Sequence, residues 1–152
     1  MKITDFLRPE AVLPDLVGRS APEVLAELCR PVTAQHGLDA ARLLQTLLDR
    51  EKLGSTSVGE GVAIPHGRLA GLPALTAVFG RSREGVEFRG VDGKPVRLFL
   101  ALFAPENAAG LYVKVLARVS RLFRTPAFRD AILAAPDAAA IQRLVEEEDA
   151  RE

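Results

Sequence analysis

The residues best suited to chemistry lie together in one run, Arg50-Glu-Lys-Leu-Gly-Ser-Thr-Ser-Val-Gly-Glu-Gly-Val-Ala-Ile-Pro-His-Gly-Arg68. Within it, His66 sits between Pro65 and Gly67, just after the short apolar stretch Val62-Ala-Ile64. Pro65 fixes its own φ and stiffens the approach to the histidine. Gly67 has no Cβ, which leaves room for a bulky group beside the backbone. An unperturbed imidazole titrates at about 6.5, so a neutral, nucleophilic nitrogen is available near neutrality. Such a nitrogen can attack a phosphoryl group and later release it. The transfer needs positive charge and N–H donors around the phosphoryl oxygens. Arg50 and Arg68 offer charge in a form suited to bidentate contact with phosphate. Thr56, Ser57 and the glycine-rich backbone offer donors. Each of these residues also has a plain structural use. A histidine in a turn is often a satisfied packing residue, and an arginine at a helix end complements the dipole. Arg68 reads equally as a solvated loop charge, and Ser55, Thr56 and Ser57 as turn and cap residues.

Other chemistries have less support. The two histidines and the single cysteine lie far apart, without metal-ligand spacing. Gly54-Ser-Thr-Ser-Val-Gly59 misses the hydrolase elbow by one residue. Gly59-x-Gly61 lacks the third glycine of a dinucleotide loop, and Gly90-Val-Asp-Gly-Lys94 is not a Walker motif. His36 reads as a helix-end residue and Cys29 as core. The 20 basic and 20 acidic residues cancel, which argues against broad nucleic-acid binding. With 5% aromatics and no Trp, base-stacking platforms are disfavoured too. The longest apolar run, Leu98 to Ala104, is too short to cross a bilayer, so no membrane insertion is expected. A single cysteine and the polar start MKITDFLRPE fit a cytoplasmic protein.

The elements that must position this run can be read in outline. At 152 residues and 48% apolar, the chain suits one domain with a real core. Ser20-Ala-Pro-Glu23 is a capping box that opens a helix; Pro31 predicts a kink or early end, and Gly37 stops the run. Asp39 caps a second helix with Leu43, Leu44, Leu47 and Leu48 on one face, Arg50 near its end and Gly54 as its stop. Thr76 to Arg81 and Val86 to Phe88 read as strands, Asp92-Gly93 as the turn of a hairpin-like return, and Val96 to Phe103 as a strand buried on both faces. Gly110 to Phe123 is an amphipathic helix whose Lys114, Arg118 and Arg121, with Arg124 close by, read as a solvated stripe. Thr125-Pro126 opens a further helix, and Asp137 caps the last, which ends near Glu147. The order helices, strands, helices predicts an α/β or α+β domain with helices over a sheet. The domain is expected over residues 1–147, and the acidic residues 148–152 as a frayed tail.

Residues 47–69, from Leu47-Leu-Asp-Arg50 through Pro65-His-Gly-Arg-Leu69, resemble the active-site signature of the fructose/mannitol-type IIA domains. These belong to the bacterial phosphoenolpyruvate-dependent phosphotransferase system. The opening Ile3-Thr-Asp-Phe-Leu-Arg-Pro-Glu-Ala-Val12 is similar to the nitrogen-regulatory branch, which stands as a separate domain. The resemblance implies an α/β fold: a mixed β-sheet covered by helices. It implies that His66 is the phosphorylated histidine, modified on Nε2, with Arg50 beside it, and that no metal or other cofactor takes part. It implies an HPr-like phosphocarrier as donor, charged by enzyme I. It implies a regulatory output onto target proteins such as potassium-transport regulators. A sugar-specific IIA component passing phosphate to a IIB domain is the nearest alternative, and a binding module that no longer carries phosphate is another. Family members usually carry a second histidine at the start of the helix that follows the buried strand. Tyr112, in Tyr-Val-Lys-Val-Leu116, stands there instead. Its hydroxyl can donate a hydrogen bond to a phosphoryl oxygen, but it does not titrate near neutral pH.

Overall fold

The two most apolar strand candidates become the centre of the structure. The computed structural model describes residues 2–89 and 92–151. Strands β5 (Thr76–Val86) and β6 (Val96–Pro105) pair antiparallel, in register from Thr76↔Phe103 to Arg81↔Leu98. A register shift follows Arg81, and the pairing resumes at Val86↔Val96. The two stretches expected as separate strands are therefore joined into one, which ends at Val86. The turn at Asp92-Gly93 lies beside Gly90 and Val91, which are outside the described residues, as is the start of the Gly90–Lys94 stretch.

Among the described residues the sheet is six-stranded and mixed, with order β1-β5-β6-β3-β2 and β4 also on β6. Strand β1 (Leu7–Leu13) runs parallel to β5. Strands β2 (Ser57–Gly59) and β3 (Val62–Ala63) form a hairpin through Glu60 and Gly61, both at positive φ (57° and 75°). Strands β3 and β4 (His66–Leu69) both run parallel to β6, one after the other. Ile64-Pro65 interrupts this run because Pro65 has no N–H to give the ladder. Its carbonyl still accepts from Leu102 N at 2.9 Å, so the chain rejoins the sheet at His66.

Helices cover both faces. On β5, Gly80 and Arg81 point to opposite sides. A Cβ on Gly80 would lie 2.9 Å from Leu28 Cδ2 of α1 (Ala21–His36), whereas Arg81 Nη1 donates to Ile132 O and Ala135 O at the end of α4 (Pro126–Ala134). Helix α2 (Ala40–Lys52) packs on α1 and against β4. Helix α3 (Ala109–Leu122) lies on β6, and α5 (Ala138–Ala150) on β1 and α4. The single α/β domain with a mixed sheet between helices is the architecture the sequence implied.

Caps match the sequence. The Ser20 hydroxyl accepts from Glu23 N and donates to the Glu23 carboxylate. Asp39 accepts from Ala41 N, and Asp137 from Ala140 N. Gly37 closes α1 at φ 66°, where a side chain would strain the backbone.

Three expectations need correction. Helix α1 does not end early at Pro31 but runs to His36. The lost backbone bond costs about 3 kcal/mol, and burial of Val24, Leu25, Leu28, Cys29 and Val32 along the same helix offsets it. The acidic end is not frayed over residues 148–151, since α5 continues to Ala150 and Asp149 is fully buried; Glu152 lies outside the described residues. The stripe on α3 is not wholly solvated. Arg118 Nε donates to Asp149 Oδ1 at 2.8 Å, and Nη2 donates to Asp149 O at 2.9 Å. Desolvation of that guanidinium is balanced by the carboxylate that the tail supplies.

Candidate functional site

His66 begins β4, immediately after the Ile64-Pro65 interruption. Its Nδ1 lies 2.7 Å from Ile64 O. A carbonyl accepts only, so Nδ1 carries the proton and donates it there. The tautomer is thereby set, and Nε2 keeps its lone pair. Arg50 Nε donates to that lone pair at 3.2 Å. The His66 pKa is lowered from its ordinary value, first by burial; the bond to Ile64 O opposes this, and the Arg50 charge adds to it. Neutral imidazole thus persists to lower pH than in an unperturbed histidine. If phosphoryl uptake requires neutral Nε2, its rate should stay flat as pH falls through 6.5 and decline only below. A pH–rate profile, with an NMR titration of the His66 ring, checks this; a midpoint at or above 6.5 contradicts it.

Arg50 lies in the last turn of α2. Its Nη1 donates to Gly54 O at 2.9 Å, which holds the guanidinium plane against the loop after the helix. Tyr112, in the first turns of α3, meets the His66 ring edge-on, with centroids 5.6 Å apart and planes at 65°. Burial pushes the Tyr112 phenol up to about 12, so at neutral pH it is a protonated donor. His66, Arg50, Gly67, Arg68 and Tyr112 line one open cleft of about 590 Å³, with Thr46, Asp49, Leu53 and Glu106. The sequence reading missed these last four residues. Helical spacing could have found Thr46, four residues before Arg50 on α2, and the C-cap Leu53, three residues after it. Nothing in the sequence marks Glu106.

Thr56 and Ser57 do not line this cleft. Both are buried. Thr56 N and Oγ1 are taken by the two carboxylate oxygens of Glu51, at 3.0 and 2.6 Å. The Ser57 hydroxyl accepts from Gly59 N at 3.4 Å and so belongs to its own hairpin. The expectation that their side chains donate to a phosphoryl group is corrected on that ground.

Gly67 has a different reason from the one expected. A Cβ there would sit 2.6 Å from Thr46 Cγ2, so the glycine lets α2 approach β4 and bring Arg50 to His66. Gly67→Ala should destabilise the fold by about 1–3 kcal/mol through overpacking. Thr46→Ala in the same chain should return most of that loss in denaturant unfolding. Failure of the rescue would contradict the close approach as cause.

The two remaining candidates play the parts expected of them. His36 lies in the last turn of α1. Cys29 is buried, and desolvation pushes its thiol up to about 12, which leaves it unreactive near neutrality. No helix among the described residues is long and apolar enough to cross a membrane.

Comparison with known proteins bears on the family and the fold. Residues 5–148 match the family described as phosphoenolpyruvate-dependent sugar phosphotransferase system, EIIA 2. The chain is 42% identical over 141 residues to a nitrogen regulatory protein of Bradyrhizobium diazoefficiens, covering 93% of this chain and 92% of that one. It is 30% identical over 150 residues to the fructose-specific EIIABC component of Bacillus subtilis, 98% of this chain but 24% of that protein. The crystal structure of nitrogen regulatory protein IIA-Ntr from Neisseria meningitidis superposes with a TM-score of 0.89 at 35% identity, covering 94% and 98% of the two chains. With nearly its whole length matched by that family, and with a fold shared with IIA-Ntr, the chain belongs to the EIIA 2 family of the phosphoenolpyruvate-dependent sugar phosphotransferase system.

Proposed function

We propose that His66 accepts a phosphoryl group from an HPr-like phosphocarrier and that the resulting charge state regulates binding to target proteins, as in the nitrogen-regulatory branch. The observation that carries this reading is His66 Nε2, left with its lone pair by the Nδ1–Ile64 bond and facing Arg50 in an open cleft. The Nε2 lone pair attacks the phosphorus of the donor phosphohistidine. The donor N–P bond breaks, and its electrons return to the donor imidazole. Positive charge on the His66 ring is shared through Nδ1–H with Ile64 O. Arg50 leaves Nε2 and turns its N–H groups to the phosphoryl oxygens, with Arg68 and the Tyr112 hydroxyl as further donors. The acceptor must meet another protein, and the rim suits that. Leu53 is 85% exposed on one side of the cleft, and Leu111 and Val113 flank Tyr112 at 39% and 64%. Phosphorylation adds about two negative charges to this surface. A target that docks over His66, such as a potassium-transport regulator, is then recruited or repelled. Such an exchange belongs in the cytoplasm.

The similarity to a fructose-specific component favours a second reading, in which the group passes on to a IIB domain. Incubation with phosphoenolpyruvate, enzyme I and the carrier tests the shared chemistry, and a IIB domain added afterwards separates the two. Retained label supports the regulatory reading, and label lost to IIB supports the sugar-specific one. No label at all would leave a binding module that no longer carries phosphate.

A further inference from the structure

The first turns of α3 carry Tyr112 to His66 with little packing of their own. Ala108 gives the helix no side-chain cap. Ala109, Gly110 and Leu111 are exposed, and a Cβ on Gly110 would meet nothing within 4 Å. The buried residues of the helix, Val115, Val119 and Leu122, are aliphatic. Aliphatic contacts hold a helix on a sheet but resist sliding and rotation weakly, because they are not directional. Arg118 adds a directional contact on α3. Its fork engages Asp149 twice, Nε to Oδ1 at 2.8 Å and Nη2 to the backbone carbonyl at 2.9 Å. The other carboxylate oxygen of Asp149 accepts from Thr4 N at 3.1 Å. The pair is almost wholly shielded, with the two side chains 11% and 0% exposed. One guanidinium therefore fixes α3 to the end of α5 and to the 3₁₀ turn over Ile3–Asp5, near both ends of the chain. At 1.5 Å per residue, this anchor lies about 9 Å along the helix from Tyr112. A continuous helix transmits a shift over that distance nearly undiminished.

We propose that Arg118 is a positioning residue for His66: through Asp149 it sets the axial and rotational placement of α3, and thereby holds the Tyr112 ring against the imidazole. The proposal rests on the phosphoryl-transfer reading above for its kinetic consequence, but not for its structural one. Arg118→Lys keeps the charge and loses the planar fork. In the folded variant, the His66 ring proton resonances should move toward those of Tyr112→Ala, since both changes remove the aromatic edge. Uptake from the charged carrier should fall about 3–10-fold in kcat with KM unchanged, the mark of a lost transition-state interaction. In a Tyr112→Ala background, the same change should cost less than about twofold, because the two act through one contact. Asp149→Asn should repeat the pattern and serves if Arg118→Lys does not fold.

Two results would overturn the proposal. One is a folded Arg118→Lys with unshifted His66 resonances. The other is an equal loss in both backgrounds, which is what a merely structural role gives. If the native chain takes up no label, the transfer reading fails, and the resonance shifts still decide the positioning role.

Discussion

His66→Ala will take up no phosphoryl group from the charged carrier, a loss of at least about 10³-fold against the native chain. The size follows from the chemistry. Arg50, Arg68 and Tyr112 can bind phosphoryl oxygens, but none supplies a neutral nitrogen lone pair at this position. His66 is half-buried at the start of a strand, and its ring bonds are to Ile64 O and Arg50 Nε rather than to the ladder, so its removal leaves the sheet pairing of β4 intact. His66→Gln is the companion variant: its amide can fill the space but cannot carry the group. Both should keep native stability and lose label together. Label persisting on either would move the phosphoryl site elsewhere.

Arg50→Gln should lower uptake by about 10²–10³-fold, the usual effect of removing one preorganised donor to developing charge. A purely structural arginine predicts far less, since Nη1–Gly54 O is an exposed contact at a helix end. The same variant has a second, independent readout. The Arg50 charge helps to depress the His66 pKa, so its removal should raise that pKa toward the ordinary value. Arg50→Lys should keep part of the charge effect but little of the rate, because an ammonium cannot reproduce the fork. Wild-type uptake in Arg50→Gln, with an unmoved imidazole titration, would remove Arg50 from the mechanism.

Much of this arrangement was legible from residue order, for local reasons. The helix carrying Arg50 is marked by Asp39 and by leucines at helical spacing, and the strand under the site by the apolar run through Phe99 and Phe103. Both signals are short-range and strong. Strand β1 was not legible: Arg8, Pro9 and Glu10 are polar or exposed, and only pairing with β5 makes the segment extended. Strand β4 was hidden for a related reason, since Pro-His-Gly reads as a turn and only β6 draws His66–Leu69 into the sheet.

Side-chain direction was the other limit. Thr56 and Ser57 have the right chemistry at the right distance along the chain, but Glu51 and the β2–β3 hairpin turn them inward. At Gly67 the missing Cβ accommodates Thr46, from a helix about 20 residues earlier. The acidic end looked like a tail because its partner, Arg118, lies 31 positions away. Contacts of that separation leave no periodic trace in the sequence.

The most direct test is the ring nitrogen itself. Long-range ¹H–¹⁵N NMR on the chain charged with phosphoenolpyruvate, enzyme I and the carrier resolves the two imidazole nitrogens of His66. A phosphoryl group on Nε2, with Nδ1 still protonated and bonded toward Ile64 O, is the expected result. A group on Nδ1, on another residue, or on none would contradict the account.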